Sequence, residues 1–85
     1  MKSEWIADFE NNKIKITNSW FFGEKLFVNN ELQDEQLNII ACNLTGNLKN
    51  NVGEKLLIKA NIYGFFRSNC SLFIDDKKVN LKQTK

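Results

Sequence analysis

The sequence predicts an all-β domain, arranged as a small antiparallel β-sandwich of about seven or eight short strands. Apolar residues recur at every second position in several segments, which is the pattern of half-buried strands. Clusters of Asn, Asp and Gly separate these segments at intervals of roughly 8–12 residues, as in sandwiches and barrels. A small β-barrel is the alternative arrangement of the same strands. The 85 residues are expected to form one domain, 1–85, without a linker or repeat.

Three strands are predicted in the N-terminal part of the chain. Residues 5–9 and 13–20 alternate apolar and polar side chains, and Asn11-Asn12 marks the turn between them. A short strand follows at residues 25–29. It ends at Asn29-Asn30, a pair suited to a two-residue hairpin turn in which both residues adopt positive φ.

The C-terminal part repeats this pattern. Residues 50–53, Asn-Asn-Val-Gly, form a strong turn signal before the alternating segment 55–63. Residues 69–74 alternate again. Residues 75–78, Asp-Asp-Lys-Lys, then separate them from a last apolar stretch, as in another hairpin.

Residues 37–48 are less regular and are interpreted as one bent strand or two short strands. Apolar residues at i, i+3 and i+4 within this stretch also fit a helical face, so one short helix near residues 34–43 stays open. The polar tail at residues 82–85 is expected to fray. From the alternation, the predicted core consists of Trp5, Ile14, Ile16, Trp20, Leu26, Val28, Ile58, Ile62, Leu72 and Ile74.

The composition excludes most catalytic chemistry. Histidine is absent, so the chain has no imidazole base, acid or metal ligand. Cys42 and Cys70 lack a basic partner that would favour the thiolate. The adjacent carboxylates Asp34-Glu35 and Asp75-Asp76 point to opposite faces if they lie on strands. We therefore expect a non-catalytic protein with no metal ion and no cofactor.

Charge and targeting signals favour a cytoplasmic protein without a strong electrostatic field. Twelve Lys and Arg against ten Asp and Glu give a formal net charge of +2. The first ten residues contain no apolar run typical of a signal peptide. No segment approaches the ~18 apolar residues of a membrane span, and both thiols are expected to stay reduced. Thirteen Asn residues indicate the drift of an AT-rich genome, bacterial or phage-like in composition.

Four apolar residues occupy positions that the alternation assigns to outer strand faces: Phe27, Leu57, Tyr63 and Phe73. Isolated exposed apolar residues are common, but several that meet form a patch suited to a partner. We therefore predict a small binding or accessory module that acts through a protein–protein surface containing these four residues. Self-association is one version, because an open sheet edge or apolar face can pair in a symmetric dimer. In the competing interpretation, another strand or residues 34–43 cover the four side chains.

Two other functions stay open. A small β-barrel could bind single-stranded nucleic acid by stacking bases on Trp20, Phe22, Tyr63 and Phe66. The dispersed lysines argue against this function, because phosphate binding needs a basic stripe. A small mobile-element-type inhibitor of another protein is compatible with the size of the chain.

Several of these motifs occur in an order that suggests a family. A strand with Trp5 and a Lys-Ile-x-Ile strand precede the hairpin Gly-Glu-Lys-Leu-Phe-Val-Asn-Asn-Glu, and a Leu-Phe-Ile-Asp-Asp-Lys segment lies near the end. This order, from Trp5 to Leu81, resembles the Fas apoptosis inhibitory molecule type of β-sandwich module. Asn30 and Asp76 stand where that family has a turn glycine. The resemblance implies an antiparallel sandwich of about seven or eight strands and a non-enzymatic role.

Overall fold

The computed structural model describes residues 2–19, 23–36, 42–63 and 69–85, and it confirms the all-β prediction. These residues form antiparallel strands in two sheets. The strands are β1 Lys2–Phe9, β2 Asn12–Ser19, β3 Gly23–Val28, β4 Glu31–Gln36, β5 Cys42–Lys49, β6 Lys55–Tyr63, β7 Asn69–Ile74, β8 Lys77–Val79 and β9 Lys82–Gln83. The structure has more strands than the seven or eight expected, because it includes two very short strands, β8 with three residues and β9 with two.

The two sheets enclose one apolar core, as in a β-sandwich. The five-stranded sheet has the order β4-β3-β2-β1-β9, and the four-stranded sheet has the order β5-β6-β7-β8. Every predicted core residue is buried except Trp20, which lies outside the described residues. Leu44, Leu48 and Ala60 complete the core from the four-stranded sheet. Each sheet therefore buries one face and presents the other face to solvent.

Four hairpin turns of the described chain lie at the same end of the sandwich. Both central residues have positive φ at Glu10-Asn11, Asn29-Asn30 and Asp75-Asp76, as in the type I′ turns whose twist matches the flanking strands. The predicted turn at residues 29–30 is confirmed. The first turn lies one residue earlier than predicted, because Asn12 already pairs with Phe9.

The edges of the two sheets meet where β4 runs beside β5. Three β4 side chains bond the outer backbone edge of β5: Gln33 Oε1 accepts from the Asn47 N–H (3.2 Å), Asp34 Oδ2 accepts from the Thr45 N–H (2.8 Å), and Gln36 Nε2 donates to the Asn43 carbonyl (2.8 Å). An open strand edge is a template for association with another chain. Side chains therefore close this side of the sandwich.

Two parts of the chain differ from the expectation. Residues 34–36 of the possible helix belong to β4, residues 37–41 lie outside the described residues, and β5 is one continuous strand. The tail at 82–85, expected to fray, is paired with β1: β9 lies beside it, and the Thr84 N–H donates to the Glu4 carbonyl (2.8 Å). These contacts pair part of the outer backbone edge of β1.

Candidate interaction surface

The structure distributes the four residues predicted to bind a partner over two opposite surfaces. Phe27 on β3 points away from the core on the outer face of the five-stranded sheet. Leu57 and Tyr63 on β6 and Phe73 on β7 point outward from the four-stranded sheet. Three of the predicted residues therefore share one sheet face, and Phe27 belongs to a different one.

The outward residues of the four-stranded sheet form a surface that we name the β6–β7 face. Leu57 and Tyr63 are each 45% exposed, and Phe73 is half-buried. The register places Phe73 directly opposite Lys59 on β6 and Lys78 on β8, so its ring stands in a row between two lysines. The outward positions of the face are Asn43, Thr45, Asn47, Lys49, Lys55, Leu57, Lys59, Asn61, Tyr63, Asn69, Ser71, Phe73 and Lys78.

The charge on the β6–β7 face is positive. Lysines occupy four of the described outward strand positions of this face, and Asp or Glu occupies none of these positions. Asp76 in the β7–β8 turn lies 3.7 Å from Lys59 Nζ, but both side chains are more than half exposed, so this ion pair contributes little. The alternation of Lys with apolar residues along β6 could have indicated this surface from the sequence. The sequence could not show which lysines belong to which of the two sheets.

The Tyr63 end of the face is uncharged and polar. Ser71 Oγ donates a hydrogen bond to the Tyr63 hydroxyl oxygen (3.3 Å). Asn61 lies directly opposite Ser71 and separates Tyr63 from Lys59 along β6. The face thus changes from lysine-rich around Leu57 to amide- and hydroxyl-rich around Tyr63.

On the other sheet, a lysine covers part of Phe27. The Lys15 ammonium lies 4.9 Å from the centroid of the Phe27 ring, in a cation–π contact. Leu32 is the cross-strand neighbour on β4. A pocket of about 330 Å³ beside the ring is lined in part by Lys2 and Lys25. Phe27 is engaged within its own sheet and is a weaker docking candidate than Leu57 or Tyr63.

A larger groove of about 750 Å³ lies at the hairpin-turn end, where β3, β4 and β5 meet. We name it the turn-end groove. Its lining includes the residues Asn12, Asn29, Gln33, Asn47, Lys49 and Lys55. Sequence reasoning missed this feature because its residues come from both sheets, and strand pairing is not visible in local alternation.

The residues that could carry redox or metal chemistry lie apart in the described chain. Ile62 pairs with Cys42 on one side and with Cys70 on the other. The two cysteine Cα atoms are therefore about 10 Å apart, two strand spacings, which exceeds the ~7 Å limit for a disulfide. No group of three His, Cys, Asp or Glu in the described ranges could hold a metal ion. No helix among these residues is long and apolar enough to cross a membrane.

Two polar side chains are buried between the sheets. Asn18 on β2 and Glu24 on β3 are directly opposite each other and are 2% and 0% exposed. Buried polar groups are normally hydrogen-bonded, and both of these residues take part in polar interactions. The pair is therefore a structural element of the five-stranded sheet.

Of the four residues considered for base stacking, Tyr63 lies on the β6–β7 face, whereas Trp20, Phe22 and Phe66 lie outside the described residues. No family model, curated protein sequence or solved structure matches this chain. The resemblance to the Fas apoptosis inhibitory molecule type of module stays a prediction.

Proposed function

We propose that this protein is a non-catalytic binding module that docks an acidic partner protein on the β6–β7 face. The proposal rests on one observation, the combination of exposed apolar and cationic side chains on a single sheet face. Leu57 and Tyr63 are 45% exposed, and Phe73 stands between Lys59 and Lys78. A partner with an apolar side chain flanked by carboxylates is complementary to this arrangement.

Apolar contacts would supply most of the affinity. Fully burying a Leu side chain contributes about 1.5–3 kcal/mol, so covering the exposed half of Leu57 contributes about 1 kcal/mol. Tyr is one of the residues that most often dominate interface energies. The lysines contribute selectivity, because complementary charges accelerate encounter and disfavour basic competitors.

The same charges disfavour a symmetric dimer through this face. In a twofold contact a surface patch meets itself. The lysine-rich surface with Lys55, Lys59 and Lys78 of one copy would then face the same positive surface of the other copy. Like charges facing each other in an interface cost several kcal/mol, so an acidic partner fits the face better than a second copy does.

The test compares the wild type with the double variant Leu57→Ser/Phe73→Ser, with Leu32→Ser as the matched control. Leu32 is 52% exposed but lies on β4, outside the β6–β7 face. Each protein captures partners from source-cell lysate with and without nuclease, and the captured protein is identified and purified. We expect this acidic protein to bind the wild type and Leu32→Ser equally and to lose affinity for the double variant.

The purified partner also gives the result that would overturn the proposal. Undiminished binding to a folded double variant would remove the β6–β7 face as the docking surface. If the double variant does not fold, Lys59→Glu/Lys78→Glu replaces it, because both lysines are exposed. This charge reversal is expected to abolish binding of an acidic partner, and unchanged binding would contradict the proposal.

Single-stranded nucleic acid is a second candidate, favoured by the row formed by Lys59, Phe73 and Lys78. Aromatic rings beside cationic side chains stack bases and hold phosphates in such sites. Nuclease-sensitive capture would point to this occupant, as would oligonucleotide affinity that falls steeply with salt. An apolar protein contact would respond to salt much more weakly.

A further inference from the structure

The turn-end groove has the size of a small-molecule site and a mostly polar lining. Its volume of about 750 Å³ lies within the usual range for ligand pockets. The buried core residues Val28 and Leu48 form part of its lining. The other described lining residues are Asn, Gln, Glu and Lys, so a ligand of this groove would be polar and rich in hydrogen-bonding groups.

Hydrogen bonds hold the groove walls in place across the two sheets. Asn12 Nδ2 donates to the Lys49 carbonyl (2.8 Å), and Asn12 Oδ1 accepts from Asn29 Nδ2 (2.9 Å). On the opposite wall, Gln33 Oε1 accepts from the Asn47 N–H (3.2 Å). The side chains of Asn12, Asn29 and Gln33 are therefore preorganised, which reduces the entropic cost of binding.

Two lysines that line this groove form no ion pair with the part of the chain that the structure describes. Lys49 and Lys55 are directly opposite each other on β5 and β6, and like charges in this position destabilise a sheet. Neither lysine forms an ion pair with another residue of the described ranges. Glu31 on β4 also lines the groove, but it forms no ion pair with either of these two lysines. A bound anion between the two ammonium groups would remove the repulsion.

We propose that the turn-end groove binds a small phosphate-bearing polyol, such as a phosphorylated sugar. Lys49 and Lys55 would bind the phosphate, because two ammonium groups match its two negative charges. Asn47 and Gln33 would donate to or accept from the hydroxyl groups, and Glu31 would accept from them. Lys49, Lys55 and Asn47 also belong to the edge of the β6–β7 face, but this proposal does not use Leu57, Tyr63 or Phe73 and does not depend on docking there.

The test is an NMR titration of the ¹⁵N-labelled full chain with glucose 6-phosphate, in parallel with glucose, inorganic phosphate and gluconate. We expect saturable shifts at the backbone amides of the groove with glucose 6-phosphate, weaker binding of phosphate and gluconate, and no binding of glucose. Lys49→Gln and Lys55→Gln should each weaken binding about tenfold or more, the loss typical of a charged hydrogen bond. Lys78→Gln is the matched control, because it removes the same charge outside the groove and should bind as the wild type does.

Three results would overturn the inference. The first is the absence of saturable shifts at the groove in the wild type. The second is an equal loss of affinity in Lys78→Gln, which would indicate nonspecific attraction to positive charge. The third is equal affinity for glucose and glucose 6-phosphate, which would remove the role of the lysines. Folding of each variant is checked by the dispersion of the same spectra.

Discussion

Gly46 on β5 and Gln33 on β4 approach each other so closely that a side chain on Gly46 has no room. A Cβ placed on Gly46 would lie 2.9 Å from Gln33 Cβ and 3.1 Å from Leu26 Cδ2. The contact lies beside the β-bulge where the β3–β4 register shifts between Leu26 and Phe27. Gly46 thus lets the bulged edge strand close one side of the sandwich.

Replacing Gly46 with alanine is expected to lower the free energy of unfolding by about 1–3 kcal/mol, the usual cost of overpacking. The added Cβ would push against Gln33 Cβ, which is fixed to the backbone and cannot rotate away. Urea unfolding followed by circular dichroism measures the change.

A double-mutant cycle identifies the cause of this loss. Gln33→Gly removes the opposing Cβ, so Gly46→Ala should cost less in the Gln33→Gly background than in the wild type. An equal cost in both backgrounds would show that the steric contact between the two residues is not responsible.

Asp34→Ala is expected to destabilise the protein by about 1–2 kcal/mol, because it removes hydrogen bonds to a charged acceptor. Asp34 accepts from the Thr45 N–H and from the Glu35 N–H, both at 2.8 Å. The freed edge of β5 should also promote concentration-dependent association, which sedimentation velocity detects. Glu35→Ala is the control, since it removes only an exposed ion pair with Lys25 and should cost less than about 1 kcal/mol.

The core and the hairpins of this fold could be predicted because their signals are local. Ile14 and Ile16 alternate with polar residues, and Asn29-Asn30 has the side chains that positive φ requires. Strand β4 had no such signal: Glu31–Gln36 contains one apolar residue, Leu32, and therefore no alternation. It is a strand because its backbone pairs with β3 across the hairpin and its side chains bond β5. The contact with β5 joins the two sheets and is set by tertiary packing, which local alternation does not show.

The candidate surface was only partly predictable for the same reason. The period of two correctly placed Leu57 and Phe73 on an outer face. It could not show that Phe27 belongs to the other sheet, because alternation gives the direction of a side chain relative to its own strand and not the sheet that the strand joins. The row of Lys59, Phe73 and Lys78 likewise arises only from the pairing register.

Asn30→Gly is expected to raise the free energy of unfolding by up to about 1 kcal/mol, because glycine adopts positive φ without steric cost. Asn30 has a φ of 69° and is exposed at the tip of the β3–β4 hairpin. Asn30→Ala should lower stability by a similar amount. Thermal unfolding of the three proteins under identical conditions checks the order, and a more stable alanine variant would contradict it.

The docking of the C-terminal tail on β1 is expected to weaken in acid. The Thr84 hydroxyl donates to the Glu4 carboxylate (2.7 Å). This hydrogen bond is the main cause of the lowered pKa of Glu4. Removal of the carboxylate from water acts in the opposite direction and raises the pKa, whereas the positive charges of Lys85, Lys15 and Lys2 lower it further. Because the folded-state pKa is lowered, the stabilisation is present above the ordinary Glu pKa of about 4.3 and is lost as pH falls through the folded-state pKa.

An NMR titration of the Glu4 carboxyl carbon tests this link to Thr84. Thr84→Val should move the Glu4 pKa upward toward its ordinary value, since the main cause of the shift is removed. Thr84→Ser keeps the hydroxyl and should retain most of the lowering. A pKa that is unchanged in Thr84→Val would show that the lysines alone hold the carboxylate charged.

Leu57 and Ile58 are adjacent on β6, yet alanine is expected to cost much less stability at position 57 than at position 58. Ile58 is fully buried, so Ile58→Ala should cost about 2–5 kcal/mol through lost burial and a cavity. Leu57 is 45% exposed on the β6–β7 face, so Leu57→Ala should cost less than about 1.5 kcal/mol. Urea unfolding of both variants measures the difference. A Leu57→Ala cost as large as that of Ile58→Ala would mean that Leu57 is covered within the monomer, and the β6–β7 face would then lose its exposed apolar anchor.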